Sequence, residues 1–154
     1  MRLQELAQVL DLQALTPGLE RPGDETGGPA VDATGAAALD ADITRAYASD
    51  LLSDVLANAP AGGILITIQV HLNVIAVASH AELAAVIFAG GRHPDDDVRA
   101  KAIAEGVSLY VSPADTFDVV GRLYRIGVKV NHALTPALQT CTCTRRSLPA
   151  RRTT

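Results

Sequence analysis

The chain has 154 residues, of which 48% are hydrophobic but only 3% aromatic, and its formal net charge is −4. This length suits one domain with a sizeable aliphatic core. The acidic balance argues against a general nucleic-acid binder and against an anionic-membrane binder. Both cysteines, Cys141 and Cys143, lie near the end of the sequence, so no disulfide framework is expected to organise the domain.

Two apolar stretches raise the question of export or membrane insertion. Glu5 interrupts the start of the chain where a secretory signal would be apolar, which predicts a cytoplasmic protein. The apolar span 64–89 contains Gln69, His71 and other polar side chains that are costly in lipid. This span is therefore predicted to form a strand, a helix and a second strand, with no membrane contact.

The first elements in chain order belong to an N-terminal segment, residues 1–18. Leu3, Leu6 and Leu10 have the spacing of one helix face, and residues 12–15 are predicted to form a short strand. Residues 19–42 are rich in Gly, Pro, Asp, Thr and Ala and show no sustained period. This composition predicts a mobile loop.

Strands and helices alternate through the core, residues 43–127. Strands are predicted over 43–48, 64–70, 85–89 and 108–111, and helices over 50–59, 73–80, 95–105 and 114–125. Such alternation predicts parallel strands joined by right-handed crossovers. The predicted fold is α/β: a largely parallel open sheet of four to five strands, with helices on both faces in three layers. Residues 128–154 are predicted to be a disordered basic tail.

Several blocks of the core carry a family resemblance. The segments YASDLLSDVLANA, ITIQVHLNVIAVA, AVIFAGGR, GVSLYVSP and TFDVVGRLY resemble successive blocks of DRTGG-domain proteins, over residues 43–124. The eponymous Thr-Gly-Gly aligns with Thr44-Arg45-Ala46, so both glycines are absent here. The resemblance implies a fold similar to the N-terminal, non-catalytic domain of HPr kinase. It also implies a regulatory or ligand-sensing module, often dimeric. Kinase activity is not implied, because the chain contains no GxxxxGK[ST] loop.

Four turns are expected at the carboxyl edge of the sheet, where open parallel sheets bind ligands. The candidate ligand-binding residues in these turns are Ser49, Asp50, Gln69, His71, Asn73, Gly90, Gly91, Arg92 and Ser112. Arg92 follows two glycines and could hold a phosphate or carboxylate through its guanidinium and exposed amides. The alternative is a tight turn followed by a solvated arginine.

The other candidates also have simpler explanations. His71 could contact a ligand or merely bond a backbone carbonyl, and Asn73 is most simply an N-cap. Asp50 and Asp54 could bind a cation, but helix capping and a solvated face also explain them. Cys141 and Cys143 form only half of a zinc site. No metal site, cofactor or catalytic residue is therefore predicted.

The leading functional hypothesis is a regulatory module that binds a small anionic ligand, with nucleotides among the candidates, and forms a homodimer. One alternative is a purely structural homodimerisation module that meets a second copy through its last helix. The other alternative is an enzyme for a phosphorylated small molecule, in which His71, Asp50 and Arg92 perform acid–base work.

Overall fold

The chain forms helices and strands in close alternation. The structure is a computed structural model and describes residues 1–16 and 42–130. The elements are α1 (Leu3–Val9), β1 (Gln13–Ala14), β2 (Arg45–Ala48), α2 (Leu52–Asn58), β3 (Ile64–Thr67), α3 (Asn73–His80), β4 (Ala85–Phe88), α4 (Asp96–Ala104), β5 (Ser108–Val111), α5 (Thr116–Arg125) and β6 (Lys129–Val130).

The strands form one six-stranded sheet in the order β1-β5-β4-β3-β2-β6. Strands β2 to β6 are parallel to one another, and β1 is antiparallel to β5. Every residue of β3, β4 and β5 is buried. The sequences of these strands are mostly continuous apolar runs and have no polar face, because the sheet is covered on both sides.

Alternate residues of the central strands face two separate cores. Ile64, Ile66 and Ile87 pack with the first core, whereas Leu65 and Val86 pack with the second. The first core is completed by α1 and α5, and the second by α2, α3 and α4. The predicted three-layer α/β fold with a largely parallel sheet is thus confirmed, although the sheet has six strands where four to five were predicted.

The path of the chain reverses once within the parallel part of the sheet. From β2 to β5 each strand lies beside the one before it, and the connecting helices α2, α3 and α4 cover one face. After β5 the chain returns past three strands to β6, and α5 covers the other face. A right-handed crossover in the opposite direction requires this change of face. The connections that leave β4 and β5 therefore diverge to opposite faces.

The sheet extends beyond residue 127, where the core was predicted to end. Val128 is buried, and the Lys129 amide donates to the Thr44 carbonyl at 2.9 Å. The short strand β6 thereby pairs with β2. Its two residues are too few to produce a periodic signal in the sequence.

The start of the chain is held next to β2. The Met1 amino group donates to the Asp42 carboxylate at 3.1 Å, and the Ile43 amide donates to the Met1 carbonyl at 2.8 Å. The rest of the predicted loop 19–42, and residues 131–154 with Cys141 and Cys143, lie outside the described residues. Within the described ranges, no helix is long and apolar enough to cross a membrane.

Because β4 is buried on both faces, truncating an isoleucine in β4 should destabilise the protein much more than truncating an exposed isoleucine on a helix. Ile87 is 0% exposed, whereas Ile103 on α4 is 43% exposed. Ile87→Ala leaves a cavity between packed layers and should lower the free energy of unfolding by about 2–5 kcal/mol. Ile103→Ala, the matched control, should change it by less than about 1 kcal/mol. Urea unfolding measures both values, and equal losses would contradict the assigned layers.

Candidate functional site

The predicted site residues do lie along the carboxyl edge of the sheet. The parallel register of β2, β3, β4 and β5 brings the turns that follow these strands to one edge. This location is confirmed for all four turns, but their side chains are used in different ways. Binding of a ligand by these residues stays a prediction.

Asp50 joins the turns that follow β2 and β3. Its Oδ1 accepts hydrogen bonds from the Thr67 hydroxyl and from the Ile68 amide, both at 2.9 Å. The Thr67 hydroxyl in turn accepts from the Gln69 amide at 3.1 Å. The carboxylate is therefore turned towards β3.

Helix capping by Ser49 or Asp50 is wrong as a prediction. The N-cap residue of α2 is Leu51, and no side chain caps this helix. Ser49 Oγ accepts from the Leu51 amide at 3.2 Å and closes the preceding turn. The side chain of Asp50 is withdrawn from the helix because it bonds across to the end of β3.

Asp54 is paired with Tyr47 rather than with Asp50. The Tyr47 hydroxyl donates to Asp54 Oδ2 at 2.7 Å, and the Asn58 amide group donates to Oδ1 at 2.8 Å. The bond from Tyr47 is the main reason that the pKa of Asp54 is lowered, and the same bond raises the pKa of Tyr47. No group of three or more potential metal ligands occurs within residues 1–16 and 42–130.

His71 and Asn73 are exposed at the start of α3. The N-cap prediction for Asn73 is wrong, because Asn73 is the first helical residue and no side chain caps α3. The Val74 amide instead donates to the His71 carbonyl at 2.9 Å, and Leu72 already has helical dihedral angles. Among the described residues, no hydrogen bond connects Asp50 with His71 or Arg92, so the acid–base trio is not assembled by direct contacts.

The turns that follow β4 and β5 are bonded to each other. The Gly90 amide donates to the Ala114 carbonyl, and the Gly91 amide to the Ser112 carbonyl, each at 2.8 Å. Both glycines have positive φ, +71° and +64°, which side-chain-bearing residues rarely adopt. The expectation that these two amides are exposed for an anion is therefore wrong. Ser112 is buried, and its Oγ accepts from the Ala114 amide at 3.3 Å.

Arg92 is the cation that remains at this edge of the sheet. Its side chain is exposed, and its guanidinium makes no hydrogen bond or ion pair with another residue that the structure describes. The adjoining His93 is also exposed. Both residues follow β4, at the point where the chain turns towards α4.

A cavity of about 320 Å³ lies beside the carboxyl end of β5, where the connections diverge. It is lined by Asp11, Leu12, Gln13, His93, Val111 and Pro113. In open α/β sheets, the crevice between strands whose connections leave towards opposite faces is the usual ligand position.

Three of the residues that line this cavity are not among the predicted site residues: Asp11, Gln13 and His93. The first two reach the cavity because β1 runs antiparallel along β5, with Gln13 opposite Val111. Asp11 has a φ of +53°, an uncommon conformation for a residue other than glycine. Ser112, next to Pro113, was already a candidate residue; for the residues that were missed, the signal in the sequence is the dipeptide His93-Pro94, which follows a predicted strand.

Comparisons with known proteins add evidence on the fold. No protein-family model matches the chain, and no curated protein matches it. The chain is similar to the crystal structure of the CBS and DRTGG domains of the regulatory region of Clostridium perfringens pyrophosphatase, complexed with the activator diadenosine tetraphosphate. The TM-score is 0.53 at 12% sequence identity, and the match covers 79% of this chain and 45% of that chain.

The chain has a DRTGG/CBS-like fold. At this identity the likeness concerns the fold alone, and this chain spans less than half of the pyrophosphatase region. The resemblance to DRTGG-domain proteins is supported to that extent. The relation to the N-terminal domain of HPr kinase stays a prediction.

The position of Asp50 predicts a structural role in holding two turns together. Asp50→Ala should lower the free energy of unfolding by about 1–3 kcal/mol, because the buried hydroxyl of Thr67 and the Ile68 amide lose their acceptor. Asp95→Ala is the matched control, since Asp95 also precedes a helix but its side chain makes no capping bond. Urea unfolding and amide hydrogen exchange at Ile68 measure the effect. Unchanged exchange at Ile68 would contradict this role.

The pair formed by Tyr47 and Asp54 predicts a pH effect at the acidic end. Because the pKa of Asp54 is lowered on folding, its contribution to stability is present above the pKa of the unfolded chain. That contribution is lost as the pH falls through the pKa of the folded state. Tyr47→Phe removes the main cause and should raise the pKa of Asp54 towards its ordinary value. NMR titration of the Asp54 carboxyl measures this pKa directly, and an identical pKa in both proteins would refute the assignment.

Proposed function

We propose that this chain is a regulatory, ligand-sensing module that binds a small anionic ligand of nucleotide type at the carboxyl edge of its sheet. The binding site is the crevice at the ends of β4 and β5. The observation that carries the proposal is the cavity at this crevice, which His93 lines and to which Arg92 is adjacent in sequence; neither side chain has a partner among the described residues.

The residues of the crevice suit the parts of a nucleotide. A guanidinium such as that of Arg92 forms paired hydrogen bonds to phosphate oxygens. Asp11 and Gln13 offer acceptors and donors for ribose hydroxyl groups or for the edge of a base, and Val111 and Pro113 offer apolar contact. The volume of about 320 Å³ is at the lower end of the roughly 300–1,000 Å³ typical of small-molecule sites.

The similar structure supports the same class of function. That protein is the regulatory region of a pyrophosphatase and is complexed with an activator, diadenosine tetraphosphate, which combines adenine bases with a polyphosphate. A module that shares its fold and offers a cation beside a cavity is suited to sense a related anion. Sensing requires no reaction of the ligand.

Two alternatives differ from this proposal in measurable ways. A purely structural homodimerisation module would associate without binding any ligand. An enzyme for a phosphorylated small molecule would convert the ligand to a product. Homodimerisation is also compatible with sensing, since association between copies can transmit a binding event.

The test is a binding titration with diadenosine tetraphosphate, ATP, ADP, AMP and orthophosphate as probes. A bound nucleotide should raise the melting temperature, since a ligand at about 100 times its Kd adds about 2.7 kcal/mol of stability. Arg92→Ala should weaken nucleotide binding by about tenfold or more, because the phosphate loses a charged partner. Calorimetric titration provides the Kd values.

Arg45→Ala is the matched control. Arg45 is also exposed and also makes no ion pair with a described residue, but it lies at the amino end of β2, on the opposite edge of the sheet. Equal weakening in both variants would indicate general electrostatic attraction and would contradict the crevice. The absence of binding by any probe would sink the sensing proposal, and chromatographic detection of a product would favour the enzyme.

A further inference from the structure

Helix α5 carries two exposed aromatic side chains on its outer surface. Phe117 is 87% exposed and Tyr124 is 69% exposed, in a chain with only 3% aromatic residues. The opposite side of the same helix buries Val119 and Leu123 against the sheet. The helix therefore uses one apolar face within the molecule and presents a second one to solvent.

Gly121 lies at the centre of this outer face. Apart from the backbone of its own helix, no atom of the described residues lies within 4 Å of a Cβ placed at Gly121, so this part of α5 is open to close approach by a second helix. At about 100° per residue, Phe117 and Tyr124 fall on one side of Gly121, and Asp118 and Arg125 on the other. The outer face thus consists of an aromatic stripe and a charged stripe, separated by a glycine.

An apolar groove of about 190 Å³ borders the aromatic stripe. It lies between α5 and the strands β2 and β6, and it is lined in part by Val120, Leu123, Tyr124 and Val128. For comparison, an apolar cavity of about 150 Å³ accommodates benzene. The groove can therefore receive one phenyl ring.

We propose that two copies of the chain associate through α5, with the helices antiparallel about a two-fold axis at Gly121. In this arrangement Phe117 of each copy enters the groove beside the partner's Tyr124. The axial spacings agree, because Phe117 is four residues before Gly121 and Tyr124 is three residues after it, a difference of about 1.5 Å along the helix. A two-fold interface requires such self-complementarity.

The charged stripe fits the same arrangement. Asp118 lies three residues before Gly121 and Arg125 four residues after it, so each copy's Asp118 faces the partner's Arg125 across the axis. Arg125 is exposed and makes no ion pair with a residue that the structure describes. Asp118 already bonds Arg122 in its own helix at 3.1 Å and keeps acceptor capacity for a second arginine. A parallel two-fold arrangement would place each copy's charged stripe against the partner's aromatic stripe, so the charges select the antiparallel one.

Sedimentation equilibrium of the full chain, without ligand, tests this interface. The wild-type chain should show a concentration-dependent equilibrium between monomer and dimer. Phe117→Ser should weaken the dimer by about tenfold or more, since a central aromatic anchor is lost. Ile103→Ser, the control, removes another exposed apolar side chain from α4 and should leave the dimer constant unchanged.

Two further variants separate association from folding. Gly121→Leu improves helix propensity, and its Cβ falls in open space on the exposed side of α5, so the monomer should remain folded while the dimer weakens. Asp118→Arg and Arg125→Asp should each weaken the dimer, and the double variant should restore it because the pairing is reversed. Such rescue cannot arise from a folding defect.

Three results would overturn the interface. They are a monomer at every concentration, a dimer that Phe117→Ser and Gly121→Leu leave intact, or the absence of rescue by the double charge reversal. None of them bears on the nucleotide titration, because this surface and the crevice share no lining residue. The two proposals can therefore fail separately.

Discussion

The burial of the central strands on both faces is the constraint on which the rest of the structure depends. Because β3, β4 and β5 have no exposed residue, helices must cover both faces of the sheet. Right-handed crossovers place α2, α3 and α4 on one face, and the other face can be covered by α5 only if the chain reverses direction. The crevice beside β5 is a direct consequence of that reversal. The need to bury an aliphatic core thus fixes where a ligand could be held.

Much of this fold was predictable from the sequence, for a physical reason. Buried strands and amphipathic helices give strong local patterns, so α3 and β5 have the predicted bounds. The pairing of β1 with β5 and that of β6 with β2 were not predictable. Both β1 and β6 have only two residues, and the partner strand of each is distant in the chain. Capping was also ambiguous. Asp50 could cap a helix or accept a tertiary hydrogen bond, and the stabilisation from these two roles differs by about 1 kcal/mol or less. The local geometry, which the sequence does not give, decides between the two roles.

The candidate site shows the same limit. The rule for parallel strands predicted the edge on which polar turns gather, and the structure places those turns there. It did not predict that the amides of Gly90 and Gly91 donate hydrogen bonds to carbonyls of the neighbouring turn. Such backbone hydrogen bonds cannot be inferred from the residue types. Nor did it predict Asp11, which reaches the cavity only through an antiparallel strand. Arg92 keeps its candidate role because its side chain is not used within the described fold.

The crevice and the outer face of α5 are close along the chain. Pro113 lines the cavity, and α5 begins at Thr116. Between them, the Ala114 carbonyl accepts a hydrogen bond from the Gly90 amide, so the turns that follow β4 and β5 are bonded to each other next to the start of α5. A ligand that displaced these bonded turns would also displace the residues that lead into α5. If the crevice binds a nucleotide and α5 joins two copies, any coupling between the two equilibria is reciprocal. The factor by which ligand binding changes association is then the factor by which association changes ligand binding, and a sensor of this kind needs no moving domain.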